Sequence, residues 1–284
     1  MKRPDTAGAW LRAARDRLEK AGSQSAALDA RMLLLDGLNI PHSVIISDPE
    51  LSLNVDECEA LEAMLVRRET SEPVSRILGS REFWGRHFHI TPDVLDPRPD
   101  TETLIDAVLK SVEGTGIKRI LDIGTGSGCI AITLLLERPE WQACASDVSD
   151  AALEIARGNA DALNVLERIE FVQTNWAEGI DGGFDIICSN PPYITSSDIG
   201  QLDRDVRDFD PIMALDGGTD GLDAYRAIFA QIPDLLTAEG QVFVELGAGQ
   251  FSAVKALCET CDLEVCPPHN DLSGHERVLH ARKP

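Results

Sequence analysis

The sequence is poor in basic residues and contains no long apolar run. Its 26 Lys and Arg residues are set against 48 Asp and Glu, which gives a formal net charge of -22. Such a surface repels a phosphate backbone, so the composition disfavours extended nucleic-acid binding. No stretch is long and apolar enough to cross a bilayer, and the opening residues 1–5 run into charged, helix-patterned sequence. These absences predict a cytoplasmic protein without a membrane partner.

The cysteine patterns that mark disulfide frameworks or zinc sites are also missing. The seven cysteines are an odd number, and Cys129, Cys144 and Cys188 lie in apolar runs, where a thiol behaves as a small hydrophobic side chain. Cys258 and Cys261 form a C-x-x-C, but no second pair follows at zinc spacing. We therefore expect reduced, structural cysteines and no metal site.

The chain divides by pattern into three segments. Its 284 residues are enough for one large and one small domain. Residues 1–76 show helical apolar stripes, residues 77–99 suit a β-hairpin linker, and residues 100–284 alternate apolar runs with helical patterns. One helix of the first segment has a marked start, because Asn54 can cap it and Glu57 occupies the capping-box position.

The third segment predicts an α/β domain with a mainly parallel sheet. Strands buried on both faces and separated by helices are typical of such sheets, and their ligands bind at the carboxyl ends of the strands. The expected strands are 119–123, 143–147, 170–174, 185–189 and 241–246, with a final pair near 263–266 and 277–281.

A glycine-rich turn follows the first of these strands. The turn consists of Gly124, Thr125, Gly126, Ser127 and Gly128. Glycines between a strand and a helix permit a tight turn and let a ligand approach the backbone closely. The dinucleotide fingerprint G-x-G-x-x-G would need glycine at 129, where the chain has Cys. The pattern therefore favours a nucleotide-like ligand without a pyrophosphate.

Three further side chains suggest what that ligand is. Asp147 closes the second strand, where its carboxylate can accept hydrogen bonds from both ribose hydroxyls. Trp176 follows the third strand and can offer an aromatic face to adenine, although core packing explains it nearly as well. Asp122 is expected to face the amino-acid end of the ligand. Together these residues indicate S-adenosyl-L-methionine, whose cationic sulfonium suits acidic surroundings.

The tetrapeptide Asn190-Pro191-Pro192-Tyr193 comes at the end of the fourth strand. A conjugated amide or amine nitrogen needs in-plane acceptors for its N–H groups and a flat surface against its π face. Asn190 offers a side-chain carbonyl, the two prolines hold backbone carbonyls rigidly, and Tyr193 offers the surface. We therefore expect a catalytic loop (Asn190, Pro191, Tyr193) that binds its substrate through all four residues.

These residues resemble the class I methyltransferase fold, and the chain is similar to the PrmC or HemK family. That family consists of protein-(glutamine-N5) methyltransferases that modify class I peptide-chain release factors. The matching segments are 72–79, 97–102, 122–128, 190–193, 214–222, 245–250 and 271–278. The resemblance implies a Rossmann-like, mainly parallel seven-stranded sheet, a small N-terminal all-α domain that recognises the release factor, and a β-hairpin linker.

The resemblance also implies the roles of the site residues. The methyl-donor contacts would be Gly124 to Gly128, Asp147, Trp176 and Asn190, and residues 98–102 would close over the donor. A glutamine side-chain nitrogen would attack the methyl carbon in line, with S-adenosyl-L-homocysteine as product and no strong general base. Asp96 stands where the family has an apolar residue, which is expected to affect only the packing around the linker.

Three other functions stay open from the sequence. A sister enzyme that methylates a glutamine of a ribosomal protein would share the donor and amide loops. A DNA or RNA amino-methyltransferase would use the same tetrapeptide, but the negative charge argues against it. A donor-binding module without catalysis is the third. The acidic residues 198–210 are expected to be either a solvated loop or a surface that steers a basic partner.

Overall fold

The computed structural model describes residues 5–112 and 116–284, so residues 1–4 of the expected helical domain lie outside the described residues. Contacts divide the chain into two units. The first contains residues up to Ser80 together with Asp203–Phe209, and the second contains Arg81–Leu202 and Asp210–Pro284. Within the described chain, no helix combines the length and the apolar character that a membrane span needs.

The first unit is helical. Its helices include α1 (Ala7–Lys20), α2 (Ala26–Leu35), α3 (His42–Ser47), α4 (Val55–Glu69) and α5 (Val74–Leu78). They enclose a core that contains Trp10, Leu33 and Leu61. The predicted capping box of α4 is present, since the Glu57 N–H donates to Asn54 Oδ1 at 2.9 Å and the Asn54 N–H donates to the Glu57 carboxylate at 2.8 Å.

The predicted hairpin is confirmed. Its strands are β1 (Ser80–Phe83) and β2 (Arg86–His89). Trp84 and Gly85 form the two-residue turn with φ of 53° and 68°. Positive φ at both positions is the requirement of the type I′ turn, whose twist matches that of the strands.

The second unit contains the predicted α/β sheet. Its strands are β3 (Arg119–Ile123), β4 (Gln142–Asp147), β5 (Ile169–Gln173), β6 (Phe184–Ser189), β7 (Leu236–Glu245), β8 (Glu264–Val265), β9 (His269–Asn270) and β10 (Glu276–Arg282). The order across the sheet is β5-β4-β3-β6-β7-β10, and β8 and β9 both pair with the far edge of β10. The sheet therefore has the seven expected positions, with the outermost one shared by two short strands.

Helices of the second unit cover both faces of this sheet. They are α6 (Glu102–Ser111), α7 (Cys129–Glu137), α8 (Asp150–Ala162), α10 (Asp223–Phe229), α11 (Ile232–Leu235) and α12 (Phe251–Glu259). The short helix α9 (Arg204–Arg207) clusters with the first unit. Ile120 belongs to one hydrophobic cluster and its neighbour Leu121 to another, because successive side chains of a strand point to opposite faces. Since β3, β4 and β6 are parallel, their carboxyl ends meet at one edge of the sheet.

One expectation about an individual segment needs correction. Residues 198–210 are not simply a solvated loop, because they include α9 and because Asp210 is buried with its carboxylate paired to Arg98. The steering role of this segment stays a hypothesis.

Asp96 is buried next to the hairpin. Its carboxylate lies 3.7 Å from the guanidinium of Arg81 in β1, so a charged neighbour accommodates it where the family has an apolar residue.

Candidate functional site

The glycine-rich turn between β3 and α7 presents open backbone. Gly124 and Gly126 have φ of 71° and 56°, a region that glycine adopts without strain. A Cβ placed on either glycine would meet no described atom within 4 Å, so both face open space. A Cβ on Gly128 would instead lie 2.7 Å from Ile132 Cδ1 and 3.2 Å from Ala156 Cβ, so Gly128 faces packed side chains and not the open space. The turn is anchored by the N–H groups of Gly124 and Thr125, which both donate to the Ser146 carbonyl at 2.9 Å.

Asp122 lies beneath this turn, so the expectation that it faces the ligand is wrong. Its side chain is fully buried and is not part of the cavity wall. Asp122 Oδ2 accepts from the Thr125 hydroxyl at 2.7 Å and from the Ala131 N–H at 3.3 Å. Burial raises the pKa of Asp122 to about 6, and the two hydrogen bonds oppose that rise. Asp122 therefore holds the turn and the start of α7 in place.

Asp147, at the end of β4, has its carboxylate oriented by the backbone. Oδ2 accepts from the Gly126 N–H and Oδ1 from the Ser149 N–H, each at 2.9 Å. Each carboxylate oxygen has a second lone pair, so both can still accept a hydrogen bond from a ligand. Asp147 is partly exposed and lines the cavity, and its contact with the ribose hydroxyls stays a prediction.

Trp176 packs on the core and also reaches the cavity, so its contact with adenine stays a prediction. Its side chain is partly buried against the hydrophobic cluster on one face of the sheet, and it also lines the cavity. Its backbone has φ of 58°, and its carbonyl accepts from the Ser146 hydroxyl at 2.7 Å. The same Ser146 thus ties the glycine-rich turn to the Trp176 loop through its carbonyl and its hydroxyl.

The tetrapeptide after β6 brings a free carbonyl to the cavity. Asn190 Nδ2 donates to Thr101 Oγ1 at 3.0 Å, whereas Asn190 Oδ1 accepts no hydrogen bond from the part of the chain that the structure describes. Asn190, Pro191 and Pro192 line the cavity. Tyr193 does not: its hydroxyl lies 3.5 Å from Glu245 Oε1, and burial raises its pKa. The packing of Tyr193 on a substrate amide stays a prediction.

Gln250 fixes the backbone that leaves the tetrapeptide. Its Nε2 donates to the carbonyls of Tyr193 at 3.0 Å and Gly221 at 3.3 Å. Its Oε1 accepts from the Gly247 N–H at 3.0 Å and the Tyr225 hydroxyl at 3.2 Å. The sequence indicated Gln250 only as part of a segment that matches the family. Its role in holding the backbone became visible from the positions of its four hydrogen-bond partners in the structure.

An ion pair between a partly exposed arginine and a buried aspartate joins two segments at the cavity. The Arg98 guanidinium pairs with the Asp210 carboxylate, which also accepts from the Asp96 N–H at 3.3 Å. Arg98 lies in the segment expected to cover the ligand, and it lines the cavity together with Thr101 from the same segment. Asp210 precedes Pro211, which also lines the cavity. The pair therefore joins residues that are far apart in the sequence.

The cavity itself has a volume of about 850 Å³ and lies within the second unit. The glycine-rich turn, Asp147, Trp176 and Asn190 meet there because they lie at the carboxyl ends of parallel strands at one edge of the sheet. Its wall includes the residues Val94, Arg98, Thr101, Gly124, Thr125, Gly126, Ser127, Asp147, Asn175, Trp176, Asn190, Pro191, Pro192, Ile212 and Met213.

Comparison with known sequences decides the family. Residues 9–79 match the model of the PrmC N-terminal domain, and residues 98–202 match that of the methyltransferase small domain. The chain is 47% identical to the release factor glutamine methyltransferase of Rhodospirillum rubrum, over 97% of this chain and 83% of the relative. The chain belongs to the PrmC family of release factor glutamine methyltransferases. The PrmC relative from Cereibacter sphaeroides is 43% identical over 96% of this chain and 97% of its own length.

Solved structures agree with the fold expected of a PrmC family member. A methyltransferase from Pyrococcus furiosus aligns with a TM-score of 0.54 at 18% identity, over 78% of this chain and 97% of that chain. The 16S rRNA N2 G1207 methyltransferase of Thermus thermophilus aligns with a TM-score of 0.53 at 20% identity, over 72% of this chain and 50% of that chain. At these identities the likeness concerns the fold alone. It confirms the class I methyltransferase fold.

Proposed function

We propose that this protein transfers a methyl group from S-adenosyl-L-methionine to the side-chain nitrogen of a glutamine in the Gly-Gly-Gln loop of class I release factors. One observation carries the proposal: in a chain of the PrmC family, the unoccupied acceptor Asn190 Oδ1 shares a cavity wall with the glycine-rich turn. Methylation of that loop would support translation termination. A glutamine of a ribosomal protein is the alternative acceptor.

The cavity fits the methyl donor. Its volume of about 850 Å³ lies within the range of about 300 to 1,000 Å³ that is usual for small-molecule sites. Asp147 would accept from the two ribose hydroxyls, Trp176 would contact the adenine, and residues Gly124 to Gly128 would let the donor approach the backbone. Bound S-adenosyl-L-methionine would supply an activated methyl group and leave as S-adenosyl-L-homocysteine.

Residues of the tetrapeptide would help the carboxamide nitrogen, a poor nucleophile, to attack the methyl group. Asn190 Oδ1 and the Pro191 carbonyl would accept the two N–H groups of the substrate carboxamide. This contact holds the nitrogen at the distance of roughly 3 to 3.5 Å that in-line attack requires. It also places acceptor dipoles where positive charge develops on the nitrogen. Tyr193 would pack against the amide plane, and the proton would pass to solvent after transfer.

The substrate can be tested directly. Purified release factor and labelled methyl donor are incubated with the enzyme, and a release factor with Gly-Gly-Ala in place of Gly-Gly-Gln serves as the matched control. We expect label in the first protein and none in the second, because alanine has no amide nitrogen. Label that persists in the variant, or that enters only ribosomal protein, would contradict the proposed acceptor.

The role of Trp176 can be tested by changing the ring. A Trp176→Ala variant should bind S-adenosyl-L-homocysteine about tenfold more weakly, since stacking of a base on an aromatic ring contributes about 1 to 3 kcal/mol. A Trp176→Phe variant keeps an aromatic face and should lose less affinity. Isothermal titration calorimetry measures both constants. Equal losses in the two variants would show that the ring acts through core packing and not through adenine.

A further inference from the structure

Glu245 is a buried carboxylate behind the tetrapeptide. It ends β7, its residue is 1% exposed, and its Oε2 has no hydrogen-bond partner among the described residues. Two hydroxyl groups face it: that of Tyr193, at 3.5 Å from Oε1, and that of Thr101, which lowers the pKa of the carboxyl group. Burying a carboxylate costs free energy, so a retained one calls for an explanation.

The Thr101 hydroxyl links Glu245 to Asn190. Its oxygen accepts a hydrogen bond from Asn190 Nδ2 at 3.0 Å. A hydroxyl has a single proton, and when its oxygen accepts from one side the proton is free to be donated elsewhere. The Glu245 carboxylate lies close enough for the Thr101 hydroxyl to lower its pKa, and its Oε2 is a buried acceptor without a hydrogen-bond partner among the described residues. With Asn190 on one side of the Thr101 oxygen, the hydroxyl proton remains available to this carboxylate.

This direction decides which end of the Asn190 carboxamide meets the substrate. If Thr101 instead donated to Asn190, the amide would turn round, with Oδ1 towards Thr101 and Nδ2 towards the cavity. The NH₂ group of a carboxamide is only a donor, so it cannot accept a hydrogen bond from a substrate N–H. We propose that Glu245 is a positioning residue that, through the Thr101 hydroxyl, keeps the carbonyl oxygen of Asn190 facing the substrate amide. The proposal rests on the proposed glutamine methylation.

The ionisation of Glu245 should therefore control turnover. Burial raises the pKa of Glu245 to about 7. Near neutral pH the side chain therefore converts between the ionised carboxylate, whose two oxygens both accept hydrogen bonds, and the neutral carboxylic acid. Arg277 and the Thr101 and Tyr193 hydroxyls favour the ionised form, while Asp100 opposes it. The titratable and charged groups facing it are Asp100, Cys129, Tyr193, Tyr225 and Arg277. We expect kcat to rise with pH through about 7, because the ionised carboxylate is the form that orients Thr101.

A Glu245→Gln variant tests this role. Glutamine keeps the size of the side chain but offers a donor in place of one acceptor, so both orientations of Asn190 become accessible. We expect kcat to fall about tenfold, the scale of one hydrogen bond, while the Kd for S-adenosyl-L-homocysteine stays within about twofold. The rise of kcat near pH 7 should disappear. Glu239→Gln, an exposed change on the same strand, is the matched control and should keep both. A Glu245→Gln enzyme with wild-type kcat and pH profile would overturn the proposal.

Thr101 variants separate positioning from a general structural effect. Thr101→Val removes the hydroxyl and should lower kcat about as much as Glu245→Gln, and the double variant should be little worse than either, since both act on one link. Thr101→Ser restores the hydroxyl and should recover most of the lost rate. Multiplicative losses in the double variant would show that Glu245 and Thr101 act independently.

A measurement without catalysis distinguishes this proposal from the proposed function. The side-chain NH₂ signals of Asn190, assigned in 15N correlation spectra with an Asn190→Ala protein, should shift with pH around 7 in the wild type and not in Glu245→Gln. Identical titrations in both proteins would overturn the positioning role. If the wild type transfers no label to release factor, the proposed function fails, yet the spectra still decide whether Glu245 orients Asn190.

Discussion

An Asn190→Ala enzyme is expected to bind S-adenosyl-L-methionine and to lose nearly all methyl transfer. Asn190 Oδ1 is an acceptor at the cavity wall that no described residue occupies, so its removal leaves a substrate N–H without a partner. Removal of one preoriented polar group from an active site typically lowers kcat by about 10² to 10³-fold. The donor affinity should fall by no more than about tenfold, because Asp147, Trp176 and the glycine-rich turn remain.

Single-turnover rates with labelled donor and release factor measure the first effect, and calorimetry with S-adenosyl-L-homocysteine measures the second. The matched control is Asn270→Ala, which removes an exposed asparagine from β9 and should leave both quantities unchanged. Turnover of Asn190→Ala within about threefold of the wild type would remove Asn190 from the mechanism.

An Asp147→Ala enzyme is expected to bind the donor about 100-fold more weakly, with a smaller change in kcat at saturation. Hydrogen bonds to a charged group contribute about 1.5 to 3 kcal/mol, and about 2.7 kcal/mol corresponds to 100-fold in Kd. The substitution also releases the N–H groups of Gly126 and Ser149, which Asp147 holds at 2.9 Å, so the turn itself loses an anchor.

Asp147→Asn should give an intermediate loss, because the amide keeps one acceptor but replaces the other by a donor. Asp161→Ala, which removes an exposed carboxylate from α8, controls for the change in net charge. Calorimetry with S-adenosyl-L-homocysteine measures the dissociation constants of these variants. An Asp147→Ala constant within about threefold of the wild type would show that the ribose is held elsewhere.

The local patterns in the sequence predicted the elements of the fold well. The strand expected at 119–123 has those bounds, and those expected at 143–147 and 185–189 begin one residue earlier. Buried strands have a strong apolar signature because they pack on both faces. The strand expected at 241–246 begins five residues earlier, at Leu236, where a register shift between Phe184 and Ile186 interrupts its pairing with β6. Irregular pairing of this kind has no signature in one strand's own sequence.

The sequence predicted where the residues of the candidate site meet better than it predicted what individual side chains contact. Gly124, Asp147 and Asn190 follow parallel strands, so their meeting at one edge could be inferred from the strand pattern alone. Asp122 was assigned to the ligand, but the turn encloses its side chain. The packing of Tyr193 on a substrate amide stays a prediction, and its hydroxyl lies 3.5 Å from Glu245 Oε1. An aspartate at position 122 suited two environments, and only its neighbours distinguish them.

The sequence by itself determined the tetrapeptide 190–193 at a strand end, the glycine-rich turn and the succession of strands and helices along the chain, because each depends on residues close together in the chain. Only the tertiary structure decided the pairs that support them: Asn190 with Thr101, Tyr193 with Glu245, and Arg98 with Asp210, separated by 89, 52 and 112 residues. Contacts between distant residues leave no periodic pattern, since they arise from the path of the chain and not from its local preferences.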